Sequence, residues 1–240
     1  MCGIVGLVSS FSKEVIADRL RKMAGAIPYR GPDDCTGAVG SGFGLGSVRL
    51  AIVEIEKGVQ PAISEDGKVV LVFNGEIFNY LVLRQKLKSM GYIFKNGSEV
   101  EVLLKLYLQQ GPSMSKMLNG QFAIAIWDGR TRALHLIRDP FGIRPLYWWS
   151  QGDTFVFGSE IKTIAANSDV PMSIEPKGVL QALRLWTCSG TRTAFQGINQ
   201  VPPGNVLTWR DQSIKLDRFW EWPLSNTQGM LKFKSDEEYF

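Results

Sequence analysis

Cys2 carries the most distinctive chemistry in this 240-residue chain. Once the initiator methionine is removed, which a residue as small as cysteine permits, Cys2 holds a thiol and a free α-amine on one residue. That amine, with a reference pKa of about 7.7–8.0, titrates near neutral pH. It can accept the thiol proton and later deliver it to a leaving group, as N-terminal nucleophiles do. By residue type alone the alternative stays open that Cys2 is a small buried hydrophobe. The histidine count bears on the choice of base. His135 is the only one, and it lies in the strand-like run Ala133-Leu134-His135-Leu136-Ile137, which reads as a structural position. A Cys-His or Ser-His dyad would have to use it.

Metal and disulfide chemistry find little support. Cys2, Cys35 and Cys188 are odd in number and far apart, with no C-x-x-C pair, so no disulfide framework or zinc site is indicated, and one histidine excludes His-rich sites. Gly37, Gly40, Gly42, Gly44 and Gly46 fit neither phosphate-loop spacing. Glycine at alternate positions instead leaves one strand face bare for a close approach by backbone or ligand.

The elements that must position Cys2 are mostly strands. An apolar strand, Gly3 to Val8, follows it directly, and Ser12 can cap a helix in which Val15, Ile16, Leu20, Met23 and Ile27 recur at helical spacing. Strands are expected around Thr36 to Val39 and Gly42 to Ile52. Val69 to Phe73 should be a buried strand ending at Asn74-Gly75-Glu76. Helices over about Tyr80 to Met90 and Glu99 to Gln109 stop at Gly91 and Gly111. Hairpins follow at Phe122 to Arg138, Leu146 to Phe157 and Asn205 to Phe219, with short helices near Glu160 to Ala166 and Lys177 to Leu185. The regular alternation of a doubly wound sheet is missing, so the expected class is α+β with mainly antiparallel sheets. A net charge of +4 with scattered basic residues gives no nucleic-acid or membrane footprint. No apolar run approaches the ~20 residues of a membrane span, and no secretory leader is evident.

Several ordered blocks carry a family resemblance. Met1-Cys2-Gly3-Ile4-Val5-Gly6, Tyr29-Arg30-Gly31-Pro32-Asp33-Asp34, Arg49-Leu50, Gln60-Pro61 and Asn74-Gly75-Glu76-Ile77-Phe78-Asn79-Tyr80 resemble the glutaminase domain of class II glutamine amidotransferases. Phe122 to Asp128, Arg138 to Tyr147, Phe157 to Lys162 and Val201-Pro202-Pro203-Gly204 are most similar to glutamine-dependent asparagine synthetases. The resemblance covers about residues 2 to 222. It implies an N-terminal-nucleophile hydrolase fold, a four-layer αββα sandwich with two mainly antiparallel sheets over residues 1–224, and a tail or linker over 225–240. Cys2 would attack the side-chain amide of glutamine, with Asn74 and the Gly75 N–H as oxyanion hole; both groups can face a developing negative charge. Arg49 would grip the substrate carboxylate, Glu76 and Glu99 its ammonium, and Ile52 and Val53 would complete substrate binding. Without the resemblance, the favoured readings are a surface ion pair for Arg49 and a turn for Asn74-Gly75.

Three positions depart from the family pattern: Tyr29 stands where histidine is usual, and Glu54 and Glu99 where aspartate is usual. A Ser-Gly-Gly-x-Asp-Ser loop, the mark of the ATP-using half of these synthetases, does not occur. The expectation is a cytoplasmic glutaminase module that needs no metal or organic cofactor for glutamine hydrolysis and delivers ammonia to an ATP- and Mg-dependent synthetase domain or subunit. A homodimer is a further option. Trp220, Trp222 and Pro223 are expected to border an apolar surface covered by that partner. The rival readings are a degenerate docking module and a hydrolase of another γ-glutamyl amide.

Overall fold

The computed structural model describes residues 2–50 and 58–222. Strand β1 (Gly3–Val8) leads into helix α1 (Lys13–Gly25) and the hairpin β2 (Asp34–Gly40) and β3 (Phe43–Arg49). A short β4 (Ala62–Ile63) and the long β5 (Val69–Ile77) precede helices α2 (Tyr80–Ser89) and α3 (Glu99–Gln110). Then come the hairpins β6 (Gly120–Asp128) with β7 (Ala133–Arg138), and β8 (Tyr147–Gln151) with β9 (Thr154–Gly158). Helices α4 (Ile161–Ala165) and α5 (Pro176–Leu185), a short β10 (Asn199–Gln200), and the hairpin β11 (Asn205–Arg210) with β12 (Ser213–Arg218) complete the described chain.

Among the described residues the strands form two six-stranded sheets, ordered β10-β8-β9-β1-β3-β2 and β12-β11-β7-β6-β5-β4. Every pairing is antiparallel. Period-two side-chain alternation builds the layers. In β1, Ile4 and Val8 face the other sheet, while Val5 and Leu7 pack under Ile16, Leu20 and Met23 of α1. In β5, Val70 and Val72 face inward, while Val69, Leu71 and Phe73 pack under Leu83 of α2 and Val100 and Leu103 of α3. The result is the expected αββα sandwich. Its two central sheets carry apolar residues on both faces, each large side chain contributing about 1.5–3 kcal/mol by leaving water. The bare glycine face receives α1: a Cβ on Gly44 would lie 2.8 Å from Ile16, and one on Gly37 3.1 Å from Leu20.

The largest difference from the sequence reading concerns β5. It does not end at Asn74 but continues to Ile77, because Gly75, Glu76 and Ile77 pair with Phe122, Gln121 and Gly120. Gly75 makes this possible. Its φ of 147° is reserved for glycine, and a Cβ there would sit 2.0 Å from the Gln121 carbonyl oxygen. Strand β3 ends at Arg49, and Ala51 and Ile52 of its expected span lie outside the described residues. The expected domain boundary at 224 and the tail lie outside the described residues. Trp220 and Trp222 form an aromatic cluster with Phe141, with ring centroids 5.1 to 5.3 Å apart. Phe141 and Trp222 are 57% and 55% exposed, so apolar surface is present there; Pro223 lies outside the described residues. Among the described residues no helix is long and apolar enough to cross a membrane.

His135 sits within β7, its Nδ1 3.0 Å from Thr208 Oγ1. Burial pushes it down to about 4, against a smaller upward pull from Asp128. Unfolded, the same side chain titrates near 6.5. Between those values the unfolded chain takes up a proton that the folded chain refuses. Stability from this group is complete above about pH 6.5 and is lost as pH falls toward 4, by on the order of 3 kcal/mol. His135→Gln should flatten that slope. Urea unfolding at pH 7 and pH 4.5 checks it, and equal pH slopes for both proteins would refute it.

Candidate active site

The start of β1 and the end of β5 come together because β1 and β5 pack face to face across the two sheets, with Ile4 and Val72 in one apolar layer. Cys2 is half-buried, and its thiol points at the Leu50 carbonyl oxygen at 3.7 Å. Arg49 ends β3, the neighbour of β1, and its guanidinium lies against Gly58, where a Cβ would approach Nη2 to 3.0 Å. A cavity of about 220 Å³ is lined by Cys2, Arg49, Asn74, Gly75, Glu76 and Glu99. That volume is below the ~300–1,000 Å³ of drug-sized sites and suits a free amino acid. Ile52, Val53, Glu54 and Met1 lie outside the described residues.

The backbone of β5 presents its groups in a definite order. Phe122 on β6 directs its N–H and C=O to Asp139, away from Gly75: Phe122 N donates to Asp139 Oδ2 at 3.3 Å, and Asp139 N donates to Phe122 O at 2.9 Å. Gly75 and Phe122 are therefore a non-hydrogen-bonded pair, and the Gly75 N–H faces the outer edge of the strand. On that edge Gln60 mimics a strand, accepting from Phe73 N at 2.6 Å and donating to Phe73 O at 2.8 Å. Four residues further on, Glu99 Oε1 accepts from Ile77 N at 3.0 Å. Gly75 lies between these two capped positions. Asn74 is 1% exposed, and its Nδ2 is buried without a hydrogen-bond partner. An amide donor left open on the cavity wall, with a backbone N–H one residue on, is ready to receive an oxyanion.

Glu99 is placed by the N-terminus of α3. Ser98 caps that helix, accepting from Glu101 N at 3.3 Å, and Glu101 gathers the N–H groups of Lys95, Asn96 and Gly97 at 2.7 to 2.9 Å. Burial alone would push Glu101 up, but those three donors and Lys105 hold its carboxyl below the usual range. The extra methylene of Glu99 relative to aspartate carries its carboxylate to the β5 edge.

Sequence reasoning assigned no part to Gln60 and Arg144, which also line the cavity. Both stand in the quoted motifs, but Gln60 acts by bonding backbone, which no local pattern reveals. Arg144 arrives by a folded loop. Asp139 accepts the N–H groups of Phe141, Ile143 and Arg144 at 2.9 to 3.0 Å, and Arg138 donates to the carbonyls of Gly142 and Arg144 at 2.9 Å. The cavity thus offers two guanidinium groups and two carboxylates, a pattern that suits a zwitterion. His135 does not reach it; it lines a separate cavity of about 630 Å³ with Tyr107 and Asp128. Among the described residues no group of three His, Cys, Asp or Glu side chains could hold a metal ion.

Residues 1–220 match the family model of a glutamine amidotransferase domain. The chain is 34% identical over 225 residues to asparagine synthetase [glutamine-hydrolyzing] 3 of Bacillus subtilis, covering 92% of this chain and 36% of that protein. It is 38% identical over 211 residues to a probable asparagine synthetase [glutamine-hydrolyzing] of Schizosaccharomyces pombe, covering 86% of this chain and 38% of that one. The chain therefore spans about a third of the length of these relatives. Among solved structures, the glutamine phosphoribosylpyrophosphate amidotransferase of B. subtilis superposes with a TM-score of 0.64 at 21% identity, covering 91% of this chain and 49% of that one. At that identity the likeness speaks for the fold.

Proposed function

Because the chain belongs to the glutamine amidotransferase domain family, we propose that it hydrolyses the side-chain amide of glutamine and supplies ammonia to an asparagine-synthetase-like amidation. The observation that carries this reading is the buried, unpartnered Asn74 Nδ2 beside Gly75, on the wall of the cavity that holds Cys2 and Arg49. Arg49 grips the α-carboxylate, while Glu76 and Glu99 face the α-ammonium. The α-amine of processed Cys2 takes the thiol proton, and the sulfur adds to the amide carbon. The resulting oxyanion rests between Asn74 Nδ2 and the Gly75 N–H. The protonated amine gives its proton to the departing nitrogen, ammonia leaves, and a γ-glutamyl thioester remains. Water, deprotonated by the same amine, then releases glutamate and restores the thiol.

This half-reaction uses the chain's own residues. ATP and Mg are assigned to a synthetase domain or subunit that accepts the ammonia, and aspartate is the acceptor suggested by the named relatives. The reading also includes a cytoplasmic location. The discriminating experiment compares protein shown by intact mass to begin at Cys2 with protein retaining Met1, each incubated with glutamine and assayed for glutamate. A retained methionine turns the amine into an amide nitrogen, which cannot act as a base near neutral pH. The processed form should turn over, and the Met1 form should be inert. Full activity with Met1 in place would remove the α-amine from the mechanism.

A further inference from the structure

Two motifs remain without a role in the chemistry above: Tyr29-Arg30-Gly31 and Ser159-Glu160-Ile161-Lys162. The fold brings them together at the start of β1. Ser159 follows β9 and clasps Ile4 at both ends: Ile4 N donates to Ser159 Oγ at 2.9 Å, and Ser159 N donates to Ile4 O at 2.9 Å. The next residue, Glu160, receives three donors. Tyr29 Oη donates to Oε2 at 2.5 Å, Lys162 Nζ lies 3.1 Å from Oε2, and Arg30 Nε donates to Oε1. Lys162 Nζ also stands 4.3 Å from the centroid of the Tyr29 ring. Arg30 continues inward: its stem crosses Gly3, where a Cβ would come within 3.1 Å of Cδ, and its Nη1 donates to the Cys2 carbonyl oxygen at 3.4 Å.

The consequence follows from where the nucleophile sits. After processing, Cys2 is a chain end, held by a peptide bond on one side only, and chain ends are poorly ordered unless something ties them down. Its thiol and its α-amine both turn about bonds to the same Cα, so the carbonyl is the point at which that residue can be fixed without touching either reacting group. Arg30 is the tie. A lone arginine would not hold a direction, but Glu160 takes its Nε and leaves Nη1 aimed at Cys2. Glu160 is in turn pinned by Tyr29 and Lys162. The Tyr29 hydroxyl, at the position where histidine is usual in the family, completes the set.

We infer that Glu160, braced by the Tyr29 hydroxyl, is a positioning residue that orients the Cys2 nucleophile through Arg30. The inference rests on the glutaminase reading and adds residues that never meet the substrate. Glu160→Gln keeps the shape but replaces one acceptor oxygen with a donor, so it cannot accept from Arg30 on one side and from Tyr29 and Lys162 on the other. Misplacing a nucleophile by about 1 Å can cost 10²-fold, so kcat for glutamine hydrolysis should fall about 10- to 100-fold. KM should stay within about twofold, since Arg49 is untouched. Tyr29→Phe, at an exposed side chain whose loss cannot unfold the domain, should lower kcat about threefold by the same route, retaining the ring beside Lys162.

A second readout needs no glutamine turnover. The rate at which iodoacetamide alkylates Cys2, followed by peptide mass across pH 6–9, should drop in Glu160→Gln at matched folded fraction. Glutamate release equal to the parent within twofold, or a loss that only tracks the folded fraction, would overturn the inference. So would unchanged alkylation. Were the parent itself unable to release glutamate, the glutaminase reading would fall, and the alkylation comparison would still decide the role of Glu160.

Discussion

Cys2→Ala protein is expected to fold like the parent and to release no glutamate from glutamine, a loss of at least about 10³-fold in kcat. Retained folding follows from how little the side chain does structurally. Its thiol makes one long contact, 3.7 Å to the Leu50 carbonyl oxygen, at a half-buried strand end. The strand itself is held by backbone pairing from Gly3 onward to β3 and by Ser159 on Ile4. Complete loss of turnover follows because neither remaining cysteine lines the cavity. Cys35 is exposed on β2, and the Cys188 thiol donates to the Gly178 carbonyl oxygen at 3.3 Å. Cys35→Ala and Cys188→Ala should therefore hydrolyse glutamine at the parental rate. Turnover by Cys2→Ala above about a thousandth of the parental kcat would end the thioester mechanism.

The second large effect belongs to Asn74→Ala, and it separates activity from stability. Removing one oxyanion donor of this kind costs about 10²–10³ in kcat, or about 2.7–4 kcal/mol. KM should change little, because the oxyanion exists only in the transition state and Arg49 still grips the substrate. Stability should move the other way or stay level. The Nδ2 group is buried with no partner in the folded protein but hydrated in the unfolded chain, and that desolvation penalty disappears with the amide. Steady-state kinetics and thermal unfolding on one preparation decide the matter. A marked fall in melting temperature with kcat intact would make Asn74 a structural residue.

The sequence made legible what depends on neighbours along the chain. Ser12 caps its helix through its side-chain oxygen, as expected, and Gly91 and Gly111 end α2 and α3 with positive φ of 91° and 59°. The antiparallel hairpins and the histidine inside β7 were equally visible. Asn74-Gly75 was not, because a local reading turns Asn-Gly into a bend, whereas nine paired residues of β6 keep β5 extended through it. Gln60 and Glu160 escaped for the same reason: each acts on a segment far away in sequence, and neither residue type marks such a contact. The family resemblance gathered Cys2, Arg49, Asn74, Gly75, Glu76 and Glu99 into one site, and all six line one cavity. What each does there is chemistry for the experiments above.

The edge of β5 has a further consequence. An open strand edge in a sheet rich in apolar residues is an invitation to another chain, and proteins blunt such edges to avoid sticking to their own copies. Here the blunting is done by two side chains, Gln60 over Phe73 and Glu99 over Ile77, with one outward-facing backbone position, Gly75, between them. A second strand would need a run of consecutive donors and acceptors, and it meets a carboxamide on one side and a carboxylate on the other. A single oxygen needs only the Gly75 amide. The same two side chains that blunt the edge against pairing with another copy thus leave the Gly75 amide between them, so one device both protects the sheet and keeps a single backbone donor in reach of the cavity.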